Sequence, residues 1–373
     1  MPEQQLHIAV DGMGGDHAPR EVVPGVVAAV ADPMLSVTLV GRSAELAPLL
    51  DEAMEAAGAG GAGGQRALRE RIALKEASEV VGMSDHPGRG VRAHPDSSIV
   101  VACREVAEGR AAAVVSAGNS GAVLAAALLH IHRLPGVERP AIAVPLPVSG
   151  GTTILLDAGA NTDCKPAWLY QFALMGNSYC RQVLSVAEPR VALLSNGEEP
   201  GKGSQLIQAA TDILAQSHEI AFVGNIEGRQ LLSGSCDVAV CDGFTGNIAL
   251  KVAEGTGEFL LKSLRDELKG HAIATLGGAL IRSRIMALRE RIDYRNTGGA
   301  LLLGVRGEVV IAHGRSDAVA IAAAIRLAAQ SVRAKVSAGI EKSISGSAAG
   351  QVVAGRPLPA TRQEGLELQE EQR

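Results

Sequence analysis

Short apolar runs recur along the chain, and polar segments rich in glycine separate them. Most of the runs are uninterrupted stretches of Val, Ile, Leu and Ala, which is typical of strands that are covered on both faces. The predicted strands are 6–10, 37–40, 111–115, 141–148, 153–156, 190–194, 220–223, 238–241 and 309–312. The pattern therefore predicts an α/β protein whose mainly parallel sheet lies between two helical layers.

Helical periodicity follows many of these strands. It predicts helices over 166–186, 202–215, 248–269 and 316–334, and the first of them begins with Pro166 at a favoured first helical position. Residues 55–66 are predicted to form a flexible surface loop. We expect one α/β domain over residues 1–338, with two lobes around a cleft, and a disordered tail over 339–373.

Composition narrows the class of protein. The 373 residues are 47% hydrophobic but only 2% aromatic, so the core must consist mainly of aliphatic side chains. A net charge of −5 and the few aromatic residues argue against binding of nucleic acid. No C-x-x-C or H-E-x-x-H spacing supports a metal site. The start of the chain lacks a signal-peptide pattern, and no apolar run approaches the ~20 residues that span a bilayer, so we expect a reduced, cytoplasmic protein.

Seven of the predicted strands are followed by polar loops that contain glycine. Ligands of open α/β sheets bind outside the carboxyl ends of the strands, where glycine lets backbone N–H groups approach an anion. If all seven loops share one edge of the sheet, they predict a site for phosphate or a similarly compact anion. The loops are DGMGGDHAP (11–19), SAGNSGA (116–122), DAGANTDCK (157–165), SNGEEPGKGS (195–204), GNIEGR (224–229), CDGFTGN (241–247) and HGRSD (313–317).

Known nucleotide motifs do not fit these loops. His17 stands where G-x-G-x-x-G needs its last glycine, and Asn196 stands where a P-loop needs its first. No G-x-S-x-G elbow is present, which argues against a covalent serine enzyme. Any single loop is also consistent with ordinary turn chemistry, in which Asp11 and Asp157 would only cap turns or helices.

Lys202 is the residue that turn chemistry explains least well. A cation at the predicted start of a helix opposes the helix dipole, so we favour a functional role for Lys202. For His313 a structural role is favoured. For His17, beside Pro19, a functional role and packing at a helix start remain equally open.

Taken in chain order, the motifs resemble the acyl-[acyl-carrier-protein]:phosphate acyltransferase family, called PlsX, over residues 6–335. They are DGMGGDHAP, DSSI, SAGNSGA, DAGAN, NGEEPGKG, GNIEGR, DVAVCDGFTGN, GGALLLGVRG and HGRSD. The resemblance implies a fold similar to that of the phosphotransacetylase and isopropylmalate dehydrogenase group. This sequence departs from the family pattern at Gln230, Ser120, His94 and Pro95, and none of these changes removes a loop.

The resemblance also implies a reaction and its partners. A homodimer would transfer a long fatty acyl chain from the thioester of acyl carrier protein to inorganic phosphate. The acyl phosphate would then pass to a membrane glycerol-phosphate acyltransferase for phospholipid synthesis. The family also implies peripheral association with the membrane.

The residue types fit such a transfer. A thioester has a good leaving group, with a thiol pKa of about 8.5, so phosphate can attack it without an enzyme nucleophile, a metal or a nucleotide cofactor. The enzyme must then bind phosphate, hold the carbonyl group nearby and stabilise the oxyanion. We expect Lys202 to supply the positive charge, and His17 or His313 to protonate the thiolate.

The candidate residues fall into two groups. The catalytic candidates are Lys202, Asn161 and His17. The candidates for binding phosphate or substrate are Asp11, Gly14, Gly15, Asp16, Asn119, Ser120, Asn225, Glu227, Asp242, Thr245 and Asn247. Among them the amides and Ser120 would donate hydrogen bonds, whereas the carboxylates would orient Lys202, Arg229 or the amides.

Residues 271–295 interrupt the alternation of strands and helices. An apolar stripe of helical spacing is bordered there by arginines, which suits a helix lying in a membrane interface or contacting the acidic carrier protein. Packing on the protein's own core or on a dimer partner is equally consistent with the pattern. The stripe and its border are Ile281, Ile285, Leu288 and Ile292 with Arg282, Arg284, Arg289 and Arg291.

Two other functions remain as alternatives. One is a nicotinamide-dependent dehydrogenase of the same fold group, although neither a dinucleotide fingerprint nor metal-binding Asp spacing is found. The other is a non-catalytic scaffold that brings the carrier protein to the membrane through residues 271–295. A scaffold would tolerate Lys202→Ala, whereas a transferase would lose activity while remaining folded.

Overall fold

The computed structural model describes residues 5–58, 62–148, 150–269, 277, 280–286 and 298–347. This part of the chain forms an 11-stranded sheet with the order β3-β2-β1-β4-β11-β10-β5-β6-β9-β7-β8. The strands are β1 (Leu6–Asp11), β2 (Leu35–Gly41), β3 (Ile72–Glu76), β4 (Ala113–Ser116), β5 (Ala141–Val148), β6 (Gly151–Leu156), β7 (Arg190–Ser195), β8 (Ala221–Glu227), β9 (Val238–Val240), β10 (Ala300–Leu303) and β11 (Glu308–Ile311).

The sheet consists of two parallel halves that run in opposite directions. β3, β2, β1, β4 and β11 pair in parallel, as do β6, β9, β7 and β8. β10 is antiparallel to both β11 and β5, so β5 runs in the same direction as β11. β6 is antiparallel to β5, and this pairing reverses the second half relative to the first.

Helices cover both faces of the sheet. They are α1 (Val22–Ala29), α2 (Ser43–Ala56), α3 (Ala62–Arg69), α4 (Pro87–Ala93), α5 (Ser98–Ala107), α6 (Ser120–Ala126), α7 (Pro166–Val183), α8 (Gln205–Ala215), α9 (Gly243–Lys269), α10 (Ala318–Ala334) and α11 (Val336–Gly346). A π-helical turn, Ala127–Ile131, continues α6.

The core lies in two layers, one on each face of the sheet. Alternate strand residues enter opposite layers because successive side chains of a strand point to opposite faces. In β1, for example, Ile8 and Val10 join the cluster that contains α1, α7 and α10, whereas Ala9 joins the cluster that contains α5 and α6. The expected three-layer α/β/α arrangement with a mainly parallel sheet is confirmed.

The predicted strands are all present, with ends shifted by up to four residues. β3 and β10 were not predicted, because a five-residue strand with mixed burial and a four-residue apolar run give weak signals. β8 extends to Glu227, so the prediction that residues 224–227 form a loop is wrong. The helix ends also shift, and α9 begins at Gly243, which places Thr245 and Asn247 in its first turns.

Three other expectations are corrected. Of the predicted flexible loop 55–66, residues 55–56 end α2 and residues 62–66 belong to α3. Residues 336–346 form α11, so an irregular tail does not begin at residue 339. α8 begins at Gln205, which places Lys202 in the preceding loop rather than at the start of a helix, and the argument from the helix dipole does not apply.

Much of the segment 271–295 lies outside the described residues. Leu288, Arg289, Arg291 and Ile292 belong to that undescribed part. Residues 282–286 are helical, and the backbone N–H of Ile285 donates to the carbonyl of Ile281 at 3.1 Å. None of the helices in the described ranges combines the length and hydropathy needed to cross a membrane.

Candidate functional site

The seven predicted loops do not share one edge of the sheet, as the sequence led us to expect. Because the two parallel halves run in opposite directions, the carboxyl ends of their strands point to opposite edges. Loops 11–19, 116–122 and 313–317 follow the adjacent strands β1, β4 and β11 and form the first loop cluster. Loops 157–165, 195–204 and 241–247, with the end of β8, form the second loop cluster.

A buried carboxylate holds the first loop cluster together. Asp11 is 2% exposed and accepts hydrogen bonds from the backbone N–H of Met13 at 3.1 Å and from the hydroxyl of Ser116 at 2.7 Å. The Ser116 oxygen in turn accepts from the backbone N–H of Gly118 at 3.0 Å. Burial raises the pKa of Asp11, and the hydrogen bonds oppose that rise. Asp11 thus joins two loops from inside the protein.

The glycines of this cluster are required by close backbone contacts. A Cβ atom on Gly14 would lie 2.4 Å from the Asp11 carboxylate and 2.9 Å from the nitrogen of Gly118. Gly15 has a φ of +115°, and the following N–H, of Asp16, donates to the carbonyl of Gly314 at 2.8 Å. The polar stretch at the end of β1 therefore joins the loops that follow β4 and β11.

Asn119 also has a structural place in this cluster. Its side-chain nitrogen donates to the carbonyls of Met83 and Asp85 at 3.0 and 3.1 Å, while its side-chain oxygen accepts from Ala122 at the start of α6. Both amide protons are thereby engaged. Ser120 is exposed, and its hydroxyl has no hydrogen-bond partner in the described ranges.

His17 and His313 differ in their surroundings. His17 is exposed, whereas His313 is partly buried and its Nδ1 accepts the backbone N–H of Arg315 at 3.1 Å. Burial lowers the pKa of His313, the charge of Lys251 lowers it further, and Glu254 opposes the shift. The lowered pKa favours the neutral form of His313 near pH 7, and because Nδ1 accepts a hydrogen bond, that form carries its proton on Nε2, from which it can donate a hydrogen bond.

A second buried carboxylate organises the second loop cluster. Asp157 is fully buried, and its two oxygens accept five hydrogen bonds of 2.7 to 3.2 Å from N–H groups of its own loop and of Ile142. The side-chain nitrogen of Asn161 supplies one of them and also donates to the carbonyl of Pro140 at 2.8 Å. Both amide protons of Asn161 are thus engaged within the protein.

Other predicted residues of this half also have protein partners. Asp242 accepts from both the backbone N–H and the hydroxyl of Thr245 at 2.8 Å, and so caps α9. Arg229 pairs with Glu227 at 2.6 Å and with Glu198 at 2.8 Å, which joins the ends of β7 and β8. Glu227 therefore orients Arg229, as expected.

Asn225 lies away from the loops, inside β8. It is 8% exposed, and its side-chain oxygen is 3.3 Å from the hydroxyl of Thr211 in α8. The sequence placed Asn225 in a loop because the apolar run stops at Val223. The Asn225 side chain therefore connects β8 to α8.

Two polar side chains of the second cluster remain available to a ligand. Lys202 and Asn247 are exposed, and neither forms a side-chain hydrogen bond or ion pair within the described part of the chain. They follow the adjacent strands β7 and β9, and neighbouring strands are about 4.8 Å apart. A cation and an amide that are both free of partners among the described residues suit a compact anion.

Helix α9 connects the two loop clusters. At its start, a Cβ atom on Gly246 would lie 1.9 Å from the carbonyl oxygen of Asp157, and Asn247 lies against Gly159. Two turns later, Lys251 and Glu254 lie near enough to His313 to shift its pKa. One face of α9 carries residues 247, 251 and 254. Residue 247 lies at the second loop cluster and residue 254 near His313 of the first, and a rise of about 1.5 Å per residue separates them by roughly 10 Å along the helix.

Several residues of the site were missed by the sequence analysis. Ser116 and Ser98 contact Asp11, and Lys251 pairs with Glu254 at 2.8 Å beside His313. Lys251 falls inside a predicted helix, where a lysine is usually a solvated surface residue. The only signal that could have found it is its position four residues after Asn247, on the same helix face.

Comparisons with known proteins agree with this architecture. A phosphotransacetylase from Streptococcus pyogenes superposes with a TM-score of 0.60 at 16% identity, covering 88% of this chain and 94% of that one. The EutD phosphotransacetylase from Staphylococcus aureus gives a TM-score of 0.56 at 15% identity, covering 88% and 96%. At such low identity the likeness concerns the fold. The protein therefore belongs to the class of α/β proteins with a mainly parallel sheet and shares the fold of these two structures.

Sequence relatives define the family. The family model described as "Fatty acid synthesis protein" matches residues 6–339. A phosphate acyltransferase from Heliobacterium modesticaldum is 46% identical over 341 residues, covering 91% of this chain and 98% of the relative. One from Gloeobacter violaceus is 46% identical over 336 residues, covering 90% and 95%. This chain therefore belongs to the fatty acid synthesis protein family, the PlsX family, and is an acyltransferase.

Proposed function

We propose that this chain transfers a long-chain fatty acyl group from acyl carrier protein to inorganic phosphate, giving acyl phosphate for phospholipid synthesis. The observation that carries the proposal is the pair of available side chains in the second loop cluster, Lys202 and Asn247. Together they offer a cation and an amide to one small anion.

The reaction follows from ordinary acyl-transfer chemistry. A phosphate oxygen attacks the thioester carbonyl, a tetrahedral oxyanion forms, and the carbon–sulfur bond breaks to leave a thiolate. Lys202 holds the phosphate or balances the charge of the oxyanion, and Asn247 donates a hydrogen bond to it. The thiolate takes up a proton, for which His17 and His313 remain the candidates. The lowered pKa of His313 favours a neutral ring, so His313 must first take up a proton before it can pass one on, whereas the neutral ring can donate a hydrogen bond to the thiolate.

The remaining predicted residues are assigned positioning roles. Asp11 and Asn119 shape the first loop cluster, whereas Asn161, Asp242 and Thr245 shape the second. We accordingly propose that Asn161 acts through the loop it holds, because its amide protons already bond to Asp157 and Pro140. Ser120, Asp16, Gly14 and Gly15 are proposed to border the substrate near His17.

We also propose that the chain contacts a membrane surface through the segment 271–295. Ile281 is 48% exposed and Leu280 is 79% exposed, with Arg282 and Arg284 beside them. An exposed apolar surface bordered by arginine suits an interface with anionic headgroups. Such a contact would bring acyl phosphate to a membrane glycerol-phosphate acyltransferase.

The proposed reaction is tested by following acyl phosphate formation by mass spectrometry. The donors are palmitoyl carrier protein and, for comparison, palmitoyl-CoA, each with and without inorganic phosphate. We expect phosphate-dependent product with the wild-type protein and a loss of roughly 100-fold or more in Lys202→Ala, because a preorganised charge contributes most in the transition state. Lys342→Ala, which removes an exposed lysine of α11, serves as the matched control.

The results separate the remaining alternatives. Product that survives in a folded Lys202→Ala variant would retain the reaction but remove Lys202 from its centre. The absence of product from every donor with the wild-type protein would refute the proposed reaction. The names of the relatives already favour an acyltransferase over a nicotinamide-dependent dehydrogenase. A non-catalytic scaffold for the carrier protein does not agree with membership of a family of acyltransferases.

A further inference from the structure

Four exposed cations lie in loop 157–165 or on stretches of backbone that hydrogen bonds connect to it. They are Arg133, Arg139, Lys165 and Arg306, and we call them the cationic surface. Within the described ranges none of the four forms an ion pair with a carboxylate. Other exposed arginines do form such pairs, for example Arg190 with Asp237 at 3.0 Å. The chain as a whole has a net charge of −5, so these four cations differ from its average surface, although Glu138 and Asp163 lie on the same stretches of chain.

Backbone contacts hold the first part of the cationic surface together. Arg133 donates from its guanidinium to the carbonyl of Glu138, so it lies against the chain just before Arg139. Arg306 donates from Nε to the carbonyl of Arg133 at 3.1 Å, and its backbone N–H donates to His132. These three arginines therefore lie on neighbouring stretches of backbone.

An aromatic ring holds the second part. The guanidinium carbon of Arg139 is 4.9 Å from the centre of the Trp168 ring, and the Lys165 nitrogen is 5.8 Å from it. The carboxylate of Glu138 accepts the Trp168 ring N–H at 2.6 Å, which fixes the ring between the two cations. The cation–π contacts keep both charged groups in place while leaving them exposed.

The cationic surface is continuous with the candidate site. Asn161 donates to the carbonyl of Pro140 at 2.8 Å, and Pro140 directly follows Arg139. Lys165 lies four residues after Asn161 in the same loop. A molecule bound on this surface would therefore lie beside the second loop cluster, where Lys202 and Asn247 are available.

The composition of the surface indicates its partner. Arginine and tryptophan are the residues that dominate protein–protein contacts, and fixed cations steer an acidic protein toward its site. A membrane contact would need a broader apolar surface, whereas here one ring is present. We propose that the cationic surface docks the acidic protein that carries the acyl group. This proposal rests on the proposed function, because it supplies the donor to the same site.

The test reverses two charges and compares two donors. In the Arg139→Glu/Lys165→Glu variant, we expect the KM for palmitoyl carrier protein to rise roughly tenfold or more, with an increase that shrinks at high salt. The kcat with palmitoyl-pantetheine, which carries no acidic protein, should stay at the wild-type value, as should the KM for phosphate. Arg326→Glu, an exposed arginine of α10, is the control.

Four results would overturn the proposal. The first is a KM for palmitoyl carrier protein that is unchanged in the Arg139→Glu/Lys165→Glu variant. The second is an equal loss of activity of that variant with both donors. The third is a KM raised only by Arg282→Glu/Arg284→Glu, which would place docking on the segment 271–295. The fourth is an Arg139→Glu/Lys165→Glu variant that binds phosphatidylglycerol vesicles less well but keeps its KM for palmitoyl carrier protein, which would assign the surface to lipid.

The docking proposal can also be judged apart from turnover. Fluorescence anisotropy of labelled palmitoyl carrier protein measures binding even if the wild-type protein forms no acyl phosphate. Weaker binding to the double variant than to wild type would then support docking while the proposed function failed. Equal binding to both proteins would refute the docking proposal whatever the activity.

Discussion

Buried carboxylates give the loops of this protein their shape. Asp157 accepts five hydrogen bonds and Asp11 connects two loops through Ser116, yet neither side chain is exposed to a ligand. Each replaces several water contacts with N–H or O–H groups of the protein, which is the condition for burying a polar group. These carboxylates therefore act on function through the loops they hold.

The hydroxyl of Ser116 gives a direct test of this role. Ser116→Ala would remove one hydrogen bond from the buried Asp11 carboxylate and leave the N–H of Gly118 without its acceptor, so we expect a loss of about 1–3 kcal/mol in the free energy of unfolding. The KM for the acyl donor should rise more than kcat falls, because the first loop cluster is proposed to border the substrate near His17 and its loops would shift. Urea unfolding and steady-state kinetics measure the two effects. Ser331→Ala is the control, since that hydroxyl bonds only to the carbonyl of Leu327 in its own helix.

A second prediction concerns the dependence of stability on pH. Glu105 is 5% exposed and forms a two-point pair with Arg110 at 2.8 and 2.9 Å, and this pair lowers the pKa of Glu105. A lowered carboxyl pKa stabilises the fold above the unfolded value of about 4.3, and the contribution is lost as pH falls through the folded value.

Glu105→Gln should therefore lower the free energy of unfolding by roughly 1.5–3 kcal/mol near pH 7 and by much less near pH 3. Chemical denaturation at both pH values measures the difference. Glu108→Gln, which removes an exposed carboxylate that contacts the same arginine, should have a small effect at either pH. An equal loss for Glu105→Gln at both pH values would contradict the ionic explanation.

Helix α9 is the element that relates one half of the site to the other. Its start packs on the backbone of Asp157, and its next turns pass His313. Moving the helix would displace Asn247 from the loop that contains Gly159 and Lys251 from His313 together. The two loop clusters therefore form one candidate site only while α9 keeps its place.

Two glycines of α9 allow a matched comparison. Gly246→Ala places a Cβ atom 1.9 Å from the Asp157 carbonyl, so we expect strong destabilisation and loss of activity. A Cβ atom on Gly255 meets no atom within 4 Å, and Gly255→Ala should stabilise the protein by up to about 1 kcal/mol because alanine favours the helix. Thermal unfolding and activity assays of the two variants measure the contrast. Similar behaviour of both would show that α9 does not depend on this contact.

At the scale of the whole molecule, α9 also leaves an apolar surface uncovered. Phe244, Val252 and Phe259 are 61–67% exposed and lie on one side of the helix. An exposed apolar stripe of this kind marks an interface, and a second copy of the chain is the expected occupant because the family resemblance implies a homodimer.

We predict that the purified protein has the mass of a dimer in analytical ultracentrifugation. Val252→Glu/Phe259→Glu should shift it toward the monomer mass of 38.3 kDa, because two buried charges would oppose association. Arg326→Glu, on an exposed face of α10, should leave the mass unchanged. A wild-type monomer at micromolar concentration would contradict the prediction.

Local patterns were sufficient to predict much of this architecture. The apolar runs located nine strands, because a strand buried on both faces needs consecutive apolar residues wherever it lies in the sheet. Glycine placement located the loops, and Gly14 and Gly246 are indeed positions where a side chain would collide with backbone or carboxylate. The order of motifs was enough to recognise the family, which the comparisons confirmed.

The tertiary structure decided how those parts meet. The antiparallel pairing of β5 with β6 reverses half of the sheet and separates the loops into two clusters, a result of hydrogen bonding between strands. The same non-local bonding engages the amides of Asn119 and Asn161 while leaving Lys202 and Asn247 available. The sequence by itself determined which residues form strands and turns, because those choices depend on neighbours along the chain. Which side chains remain available to a substrate depends on partners far apart in the chain, and folding alone brings those together.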